Sequence, residues 1–389
     1  MNNGIWRPGT LRGLTTPRQR RRELRADGRL HPADYQTFAV CPGPWNQAAE
    51  RLIENAIGCF PVPLGLAEHF VIDGRETPVI MATEERSIVA AAAKAAKLCR
   101  PQGFRTLSAA SGCLAGHAVW GGVKDPPRLI AALQVHADEL RHAALRDWPE
   151  FETHGRRVCS FRAYQPSPAR PDLVVAEIMI ETGEAMGANI VTRLIESYAR
   201  EIDRVVGNNR LAAIVSNAPA ALGDTVAEAC WPGSVLPAGL AVRLLDLQTW
   251  AELDPNRTAT HVKGIMNAVT AIGLATGQDT RALEAAVHAA ANRVGGPRPL
   301  TQYRVTDTGD ILGRITVPLA IGTVGGATKH PIAGACRETM GANTRARLAS
   351  VMAAAGLAQN FAALLCLAGE GITAAHRHLA DGRNRHGTP

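Results

Sequence analysis

Short apolar runs alternate with long Ala-rich stretches along the chain, and the two patterns predict different elements. Residues 41–81 are rich in Gly and Pro, and there Phe70-Val71-Ile72 and Pro78-Val79-Ile80-Met81 flank Asp73-Gly74. Two apolar runs around an Asp-Gly pair predict a β-hairpin. The run from Ser87 to Lys97 is mostly Ala and predicts a strong helix with Ser87 as its cap. Residues 101–208 mix short strands, clearest at 173–180, with helices near 126–146 and 186–205, which reads as a small α+β unit inserted into a larger domain. Ala-rich helix returns after about 210, with helices expected near 264–275 and 280–293 around the turn Thr276-Gly277-Gln278-Asp279. A strand-like stretch over 303–318 precedes the Gly-rich segment Gly322–Lys329. Two helices, near 342–355 and 357–369, close the pattern. An arm and a short helix are expected within residues 1–40.

Composition narrows the class. The chain has 389 residues, 46% hydrophobic and 20% charged, which fits a globular protein of two or three domains. Net charge is +7, and part of it sits in Arg18, Arg20, Arg21, Arg22 and Arg25. That cluster reads as a solvated helix face or as an attraction for an anionic ligand; without aromatic interleaving it gives little support for nucleic acid. The eight cysteines form no CxxC pair and read as small buried hydrophobes of a reducing compartment, with no metal site. The apolar stretch 348–369 contains Gln359 and Asn360 and reads as buried helix, not a membrane span. No signal-peptide pattern opens the chain, so a cytoplasmic location is expected. GxGxxG after a strand, GxxxxGK[ST], HExxH and GxSxG are all missing.

Five stretches are more specific. They are Glu54–Gly65; Met81–Ala91, which contains Glu84-Glu85-Arg86-Ser87; Glu184-Ala185-Met186-Gly187-Ala188-Asn189; His261-Val262-Lys263-Gly264-Ile265-Met266-Asn267, running on to Asp279; and Gly322–Pro331, followed by Gly356-Leu357-Ala358-Gln359-Asn360. In order and spacing they resemble hydroxymethylglutaryl-CoA (HMG-CoA) reductase, in its soluble bacterial class II form, from about residue 10 to 376.

The resemblance implies an NAD(P)H-dependent oxidoreductase interconverting HMG-CoA and mevalonate plus CoA, in isoprenoid metabolism, with no metal. It implies an α+β fold: a large Ala-rich substrate domain (1–100 and 209–370), an inserted small ferredoxin-like, non-Rossmann cofactor domain (101–208), and a tail (371–389). It implies a homodimer or larger homo-oligomer with an interfacial active site, and neither nucleic-acid nor membrane partners. The family's catalytic Glu, Lys, Asp and His fall on Glu85 (with Glu84 beside it), Lys263, Asp279 and His376. Substrate contacts fall on Arg12, Ser87, Asn217, Arg257, Asn267 and Gln359, and cofactor contacts on Glu184, Met186, Gly187 and Asn189.

These residue types suit the chemistry. Hydride attack on a thioester builds negative charge on oxygen, which an ammonium such as Lys263 can stabilise. Asp279 beside it would keep that lysine charged. A glutamate can pass a proton to the carbonyl oxygen, and a histidine can protonate the expelled CoA thiolate near neutral pH. Taken singly, Asp279 also reads as a helix N-cap, and the glutamates as complements of a helix dipole. Two departures from the family stand out. Gly155-Arg156-Arg157-Val158-Cys159-Ser160-Phe161-Arg162 offers arginines where a carboxylate near the NAD ribose is usual, which favours the 2′-phosphate of NADPH or leaves solvent-facing arginines. Only 13 residues follow His376, which predicts a shortened closing flap and, as the alternative function, a CoA-thioester binder with weakened turnover.

Overall fold

The computed structural model describes residues 14–27, 30, 52–100, 102–108, 112–207, 209–237, 239–292, 295–369, 371 and 373. The chain divides into a unit over Met1–Pro63 and a unit over Leu64–Pro389. In the first, helix α1 (Pro17–Ala26) begins with a capping box in which Thr16 accepts from Gln19 N and the Gln19 side chain accepts from the Thr16 backbone. The arginine cluster on α1 is not all solvated. Arg20 and Arg21 are buried, because their guanidinium groups donate to the carbonyls of Leu14 and Ala56 and of Ile57. Arg18, Arg22 and Arg25 are exposed.

The second unit runs β1 (Leu64–Ala67), β2 (Val71–Ile72), β3 (Arg75–Glu76), β4 (Val79–Ala82), α2 (Arg86–Cys99), β5 (Phe104–Ser108), β6 (Cys113–Trp120), α3 (Pro126–Val135), α4 (Ala137–Leu145), β7 (Arg156–Tyr164), β8 (Val174–Thr182), α5 (Ala188–Val206), β9 (Arg210–Val215), β10 (Asp224–Trp231), α6 (Leu240–Leu253), α7 (Pro255–Ala275), α8 (Thr280–Ala291), β11 (Thr301–Val305), β12 (Ile311–Pro318), α9 (Pro331–Thr339) and α10 (Arg345–Ala368).

Its strands form a six-stranded sheet, β11-β12-β10-β5-β2-β3, a four-stranded sheet, β7-β8-β6-β9, and the pair β1-β4. The four-stranded sheet is wholly antiparallel and draws its strands from residues 113–215. Phe104–Ser108 instead pairs with β10 in the six-stranded sheet. Helices α3, α4 and α5 bury Leu133, Leu140, Leu194 and Tyr198 in one core with Trp120, Ile178 and Ile180 of the small sheet.

The larger sheet is organised around α10. Its residues from Leu348 to Phe361 are all buried, and the Phe361 ring stacks on Trp231 of β10 at 3.7 Å between centroids. The Trp231 indole N–H donates to the Ala95 carbonyl of α2 at 2.9 Å, so the buried aromatic has its polar group satisfied. Among the described residues α10 is the one helix long and apolar enough to cross a membrane, and 78% of that apolar window is buried inside the protein.

Three expectations are corrected by the physics of turns and packing. The Asp73-Gly74 hairpin forms with both residues at positive φ, 54° and 75°. A two-residue loop of that kind forces Ile72 opposite Arg75, so Val79–Ala82 is left to pair with β1. Helix α2 is capped by Glu85, whose carboxylate accepts from Ser87 N; Ser87 lies inside the first turn. The two closing helices are one. A Cβ on Gly356 would lie 3.1 Å from Ile265 and 3.2 Å from Val269, so this glycine lets α10 approach α7 closely and does not break the helix. The cysteines also divide: Cys99, Cys113 and Cys336 are buried, whereas Cys59 and Cys159 are exposed.

Candidate active site

Three segments meet where β8 ends. Glu184 is the hub: its carbonyl accepts from Thr323 N (2.8 Å), and its carboxylate accepts from Thr323 Oγ1 (2.6 Å) and Arg345 N (2.8 Å). Ala185 forms a parallel bridge with Val324. Gln278 Oε1 accepts from Gly322 N at 2.9 Å. The loop Glu184–Gly187, the turn Thr276–Asp279 and the Gly322 segment are thus tied together through backbone groups. Gly187 sits at φ 100° and starts α5 with no side-chain cap. A Cβ there would lie 2.3 Å from Thr182 Cγ2, so only glycine fits. No side chain among the described residues caps the first turn of α5, and a helix start of that kind suits a pyrophosphate. Met186 is half-buried against the core of the small sheet, and Asn189 is exposed on the first turn of α5.

A second group lies on α7 and α10. Asp254 caps α7 with Pro255 in the first turn, which starts the helix earlier than the apolar pattern shows. Arg257 is buried, and its guanidinium lies over the Trp250 ring at 5.4 Å. Its Nε has no partner among the described residues, and burial lowers its pKa. A buried cation with an open N–H is suited to bind an anion. Lys263 is exposed on the same helix, and Asn267 is half-buried. Gln359 is buried in α10, and its Oε1 has no partner among the described residues. Neighbouring Asn360 accepts from Tyr303 OH at 2.8 Å and from Thr301 Oγ1 at 3.3 Å.

His261 joins that network. It is 2% exposed, and its Nε2 lies 2.6 Å from Thr301 Oγ1. Burial first, and then the charge of Arg257, push its pKa down to about 3. The unfolded chain binds this proton near pH ~6.5, so protonation favours unfolding. Its stabilising effect is complete above about pH 6.5 and is lost as pH falls towards 3. Urea titrations from pH 6.5 to 5 should show stability falling, with a slope approaching about 1.4 kcal/mol per pH unit from this group. His261→Gln should flatten that slope; an unchanged slope would mean that the imidazole takes up its proton in the folded protein as readily as in the unfolded chain.

The catalytic candidates are placed unevenly. Glu85 is exposed, and its carboxylate accepts from Ser87 N and Ser87 Oγ at 3.3 and 3.0 Å. Asp279 caps α8 and is held by the Arg281 guanidinium at 3.1 Å, which lowers its pKa. Among the described residues no carboxylate is hydrogen-bonded to Lys263, and the partner of Asp279 is Arg281. Asn217 is exposed on the loop after β9. Arg12 and His376 lie outside the described residues.

Two buried arginines that brace these segments went unread in the sequence. Arg345, nearly fully buried, donates from Nη2 to the Ala185 carbonyl and to Thr182 Oγ1. Arg337 donates to the carbonyls of Thr276 and Thr328. Charged neighbours, Glu338 and Arg347, flank them in sequence, so no local signal sets them apart. The arginines of β7 are engaged as well: Arg157 pairs with Glu181 at 2.6 Å and Arg162 with Glu177 at 2.5 Å. A 2′-phosphate reaching either would have to compete with a carboxylate.

Comparisons with known proteins agree with one another. The sequence profile of a family described as hydroxymethylglutaryl-coenzyme A reductase matches residues 16–381. A 3-hydroxy-3-methylglutaryl-coenzyme A reductase of Archaeoglobus fulgidus is 38% identical over 333 residues, covering 85% of this chain and 76% of that protein. A probable enzyme of the same name from Borreliella burgdorferi is 30% identical, with the same two coverages. The structure of the class II enzyme from Streptococcus pneumoniae bound to NADPH in open conformations superposes with a TM-score of 0.79 at 29% identity, covering 92% of this chain and 88% of that one.

Proposed function

The chain belongs to the hydroxymethylglutaryl-coenzyme A reductase family, and on that premise we propose that it interconverts HMG-CoA and mevalonate plus CoA with NADPH or NADH. The observation that carries this reading is the junction at Glu184, which ties the uncapped start of α5 to the turn ending at Asp279. Bound there, the nicotinamide cofactor supplies the hydride for each of two reductions. Glu184, Met186, Gly187 and Asn189 would hold it, with the pyrophosphate on the α5 N–H groups.

The chain's own residues have separable tasks. Arg257 takes the hydroxymethylglutaryl carboxylate, and Ser87, Asn217, Asn267 and Gln359 line the substrate path. Arg12 meets the CoA phosphates. Lys263 holds the oxyanion that forms at the thioester carbonyl. Glu85 delivers the proton to that oxygen. His376 protonates the CoA thiolate when the hemithioacetal collapses. Asp279 orients the lysine, which requires it to release Arg281 on substrate binding.

The antiparallel order β7-β8-β6-β9, with helices after its first and third strands in sequence, supports a ferredoxin-like, non-Rossmann cofactor domain within a larger substrate domain; its strands span 113–215, so the expected bounds of 101–208 shift, with β5 going to the larger domain and β9 to the small one. We further propose a cytoplasmic homo-oligomer whose site is completed at the subunit interface, with the Glu54–Gly65 segment taking part.

The test follows reduced-nicotinamide absorbance with purified protein and HMG-CoA, with NADH and NADPH in parallel. Two cofactor molecules should be oxidised per thioester, with one free thiol released. No oxidation of either cofactor, with the thioester still bound in calorimetry, would overturn the reductase reading in favour of a CoA-thioester binder.

A further inference from the structure

The small sheet carries a pair of thiols that the reaction does not use. Cys113 Sγ and Cys159 Sγ are 3.4 Å apart. Cys113 opens β6, buried opposite Glu181 of β8. Cys159 is exposed and sits where β7 slips register against β8, between Val158 and Ser160. The extra residue of a bulge re-aims its side chain, and here it brings the Cys159 sulfur across the middle strand to Cys113. The guanidinium of Arg157, on the same strand two residues before Cys159, is paired with Glu181 beside the two sulfurs.

We propose that Cys113 and Cys159 form a reversible oxidation site, closed by peroxide into a disulfide that spans β8. In the first step the exposed Cys159 thiol gives up its proton and its sulfur attacks hydrogen peroxide, breaking the O–O bond; Cys159 becomes a sulfenic acid, and the departing hydroxide takes up that proton and leaves as water. In the second step Cys113 sulfur attacks Cys159 sulfur, the S–O bond breaks, and the Cys113 proton leaves with the departing hydroxide as water. Two thiols lose two electrons, and one peroxide is reduced to two waters. Burial holds Cys113 protonated, its pKa pushed up to about 12, so it resolves the reaction and does not start it.

The bridge would join strands that are not neighbours, since β8 lies between β6 and β7. Closing it draws the two outer strands together. Disulfides under such strain are the easily reduced ones, which suits a reversible device. The pull arrives beside the Glu184 junction. Gly112, next to Cys113, accepts from Thr182 N at 3.2 Å, and the Thr182 hydroxyl shares its one hydrogen between the Gly112 and Ala185 carbonyls, at 2.8 and 2.7 Å. Oxidation therefore tugs on the anchor of the loop read above as the cofactor loop.

The test treats the full-length protein with peroxide beside a small-molecule thiol as an internal control, then alkylates and maps peptides by mass. The expected product is a Cys113–Cys159 crosslinked peptide, two hydrogens lighter and restored by dithiothreitol. Cys113→Ser should stop the sequence at a Cys159 sulfenic acid that dimedone captures, and Cys159→Ser should leave Cys113 unoxidised. Both thiols surviving while the control is consumed, or Cys159 crosslinking between molecules, would overturn the site. This arm makes no reference to catalysis, so it stands whether or not the reductase reading does. The coupling rests on that reading and has its own readout: oxidation should raise KM for the nicotinamide cofactor several-fold in the parent protein and leave Cys159→Ser unchanged. An unchanged KM in fully crosslinked protein would overturn the coupling.

Discussion

Lys263→Ala should abolish reduction of HMG-CoA while leaving the fold intact. The lysine is exposed on α7 and makes no ion pair among the described residues, so its removal costs little stability, within about 0.5 kcal/mol for such a surface site. Its proposed task exists only while negative charge develops on the carbonyl oxygen. Loss of one such donor lowers kcat by about 10²–10³-fold, and loss of a full charge should exceed that range. Thioester binding should persist, because Arg257, one of the buried groups suited to the substrate carboxylate, is untouched. The measurement is kcat with saturating cofactor beside a calorimetric Kd for HMG-CoA. Near-full turnover in the variant would sink the assignment of the oxyanion role. A parallel loss of kcat, Kd and melting temperature would point to a folding lesion, which the exposure of Lys263 argues against.

Lys263 was singled out through the resemblance. His261 to Asn267 is a contiguous stretch on one helix, so its motif could be matched without any long-range contact. Glu184 to Asn189 is legible for the same reason, since the glycine at 187 is required by a positive φ and a helix start. The pairing of Val79–Ala82 was not legible, because it depends on the Asp73-Gly74 turn using up residues 75 and 76 first. The single helix α10 was hidden by Gly356, whose reason lies on another helix, at Ile265 and Val269. Arg345 and Arg337 drew no reading, because the groups they satisfy are up to 163 positions away. The engagement of Asp279 by Arg281 was obscured by the expectation of a lysine partner. Apart from that local pair, the missing information is a contact between segments separated in sequence, which no periodicity records.

The Glu184 junction gives the second large effect, through Gly322→Ala. A Cβ at this position would lie 2.2 Å from Met186 N, 2.7 Å from Ala185 C and 2.8 Å from Glu184 O. All three are backbone atoms, so no flexible side chain can give way, and the methyl group must push the loop off the Gly-rich segment. The displacement opposes the Thr323–Glu184 bonds, the Ala185–Val324 bridge and the Gly322–Gln278 bond together. KM for the nicotinamide cofactor should rise at least about tenfold, a cost of ~1.4 kcal/mol, while the Kd for HMG-CoA changes much less. Thr323→Val removes only the hydroxyl from Glu184 and should move KM in the same direction by a smaller factor. Gly334→Ala is the matched control: a Cβ there meets nothing within 4 Å, and alanine in a helix is if anything stabilising. Should Gly322→Ala retain the parental KM with its melting temperature unchanged, the loop Glu184–Asn189 is not where the cofactor is held. Should Kd and KM weaken together only as the protein melts earlier, the Thr323→Val variant, which introduces no clash, decides between a binding loop and a purely structural joint.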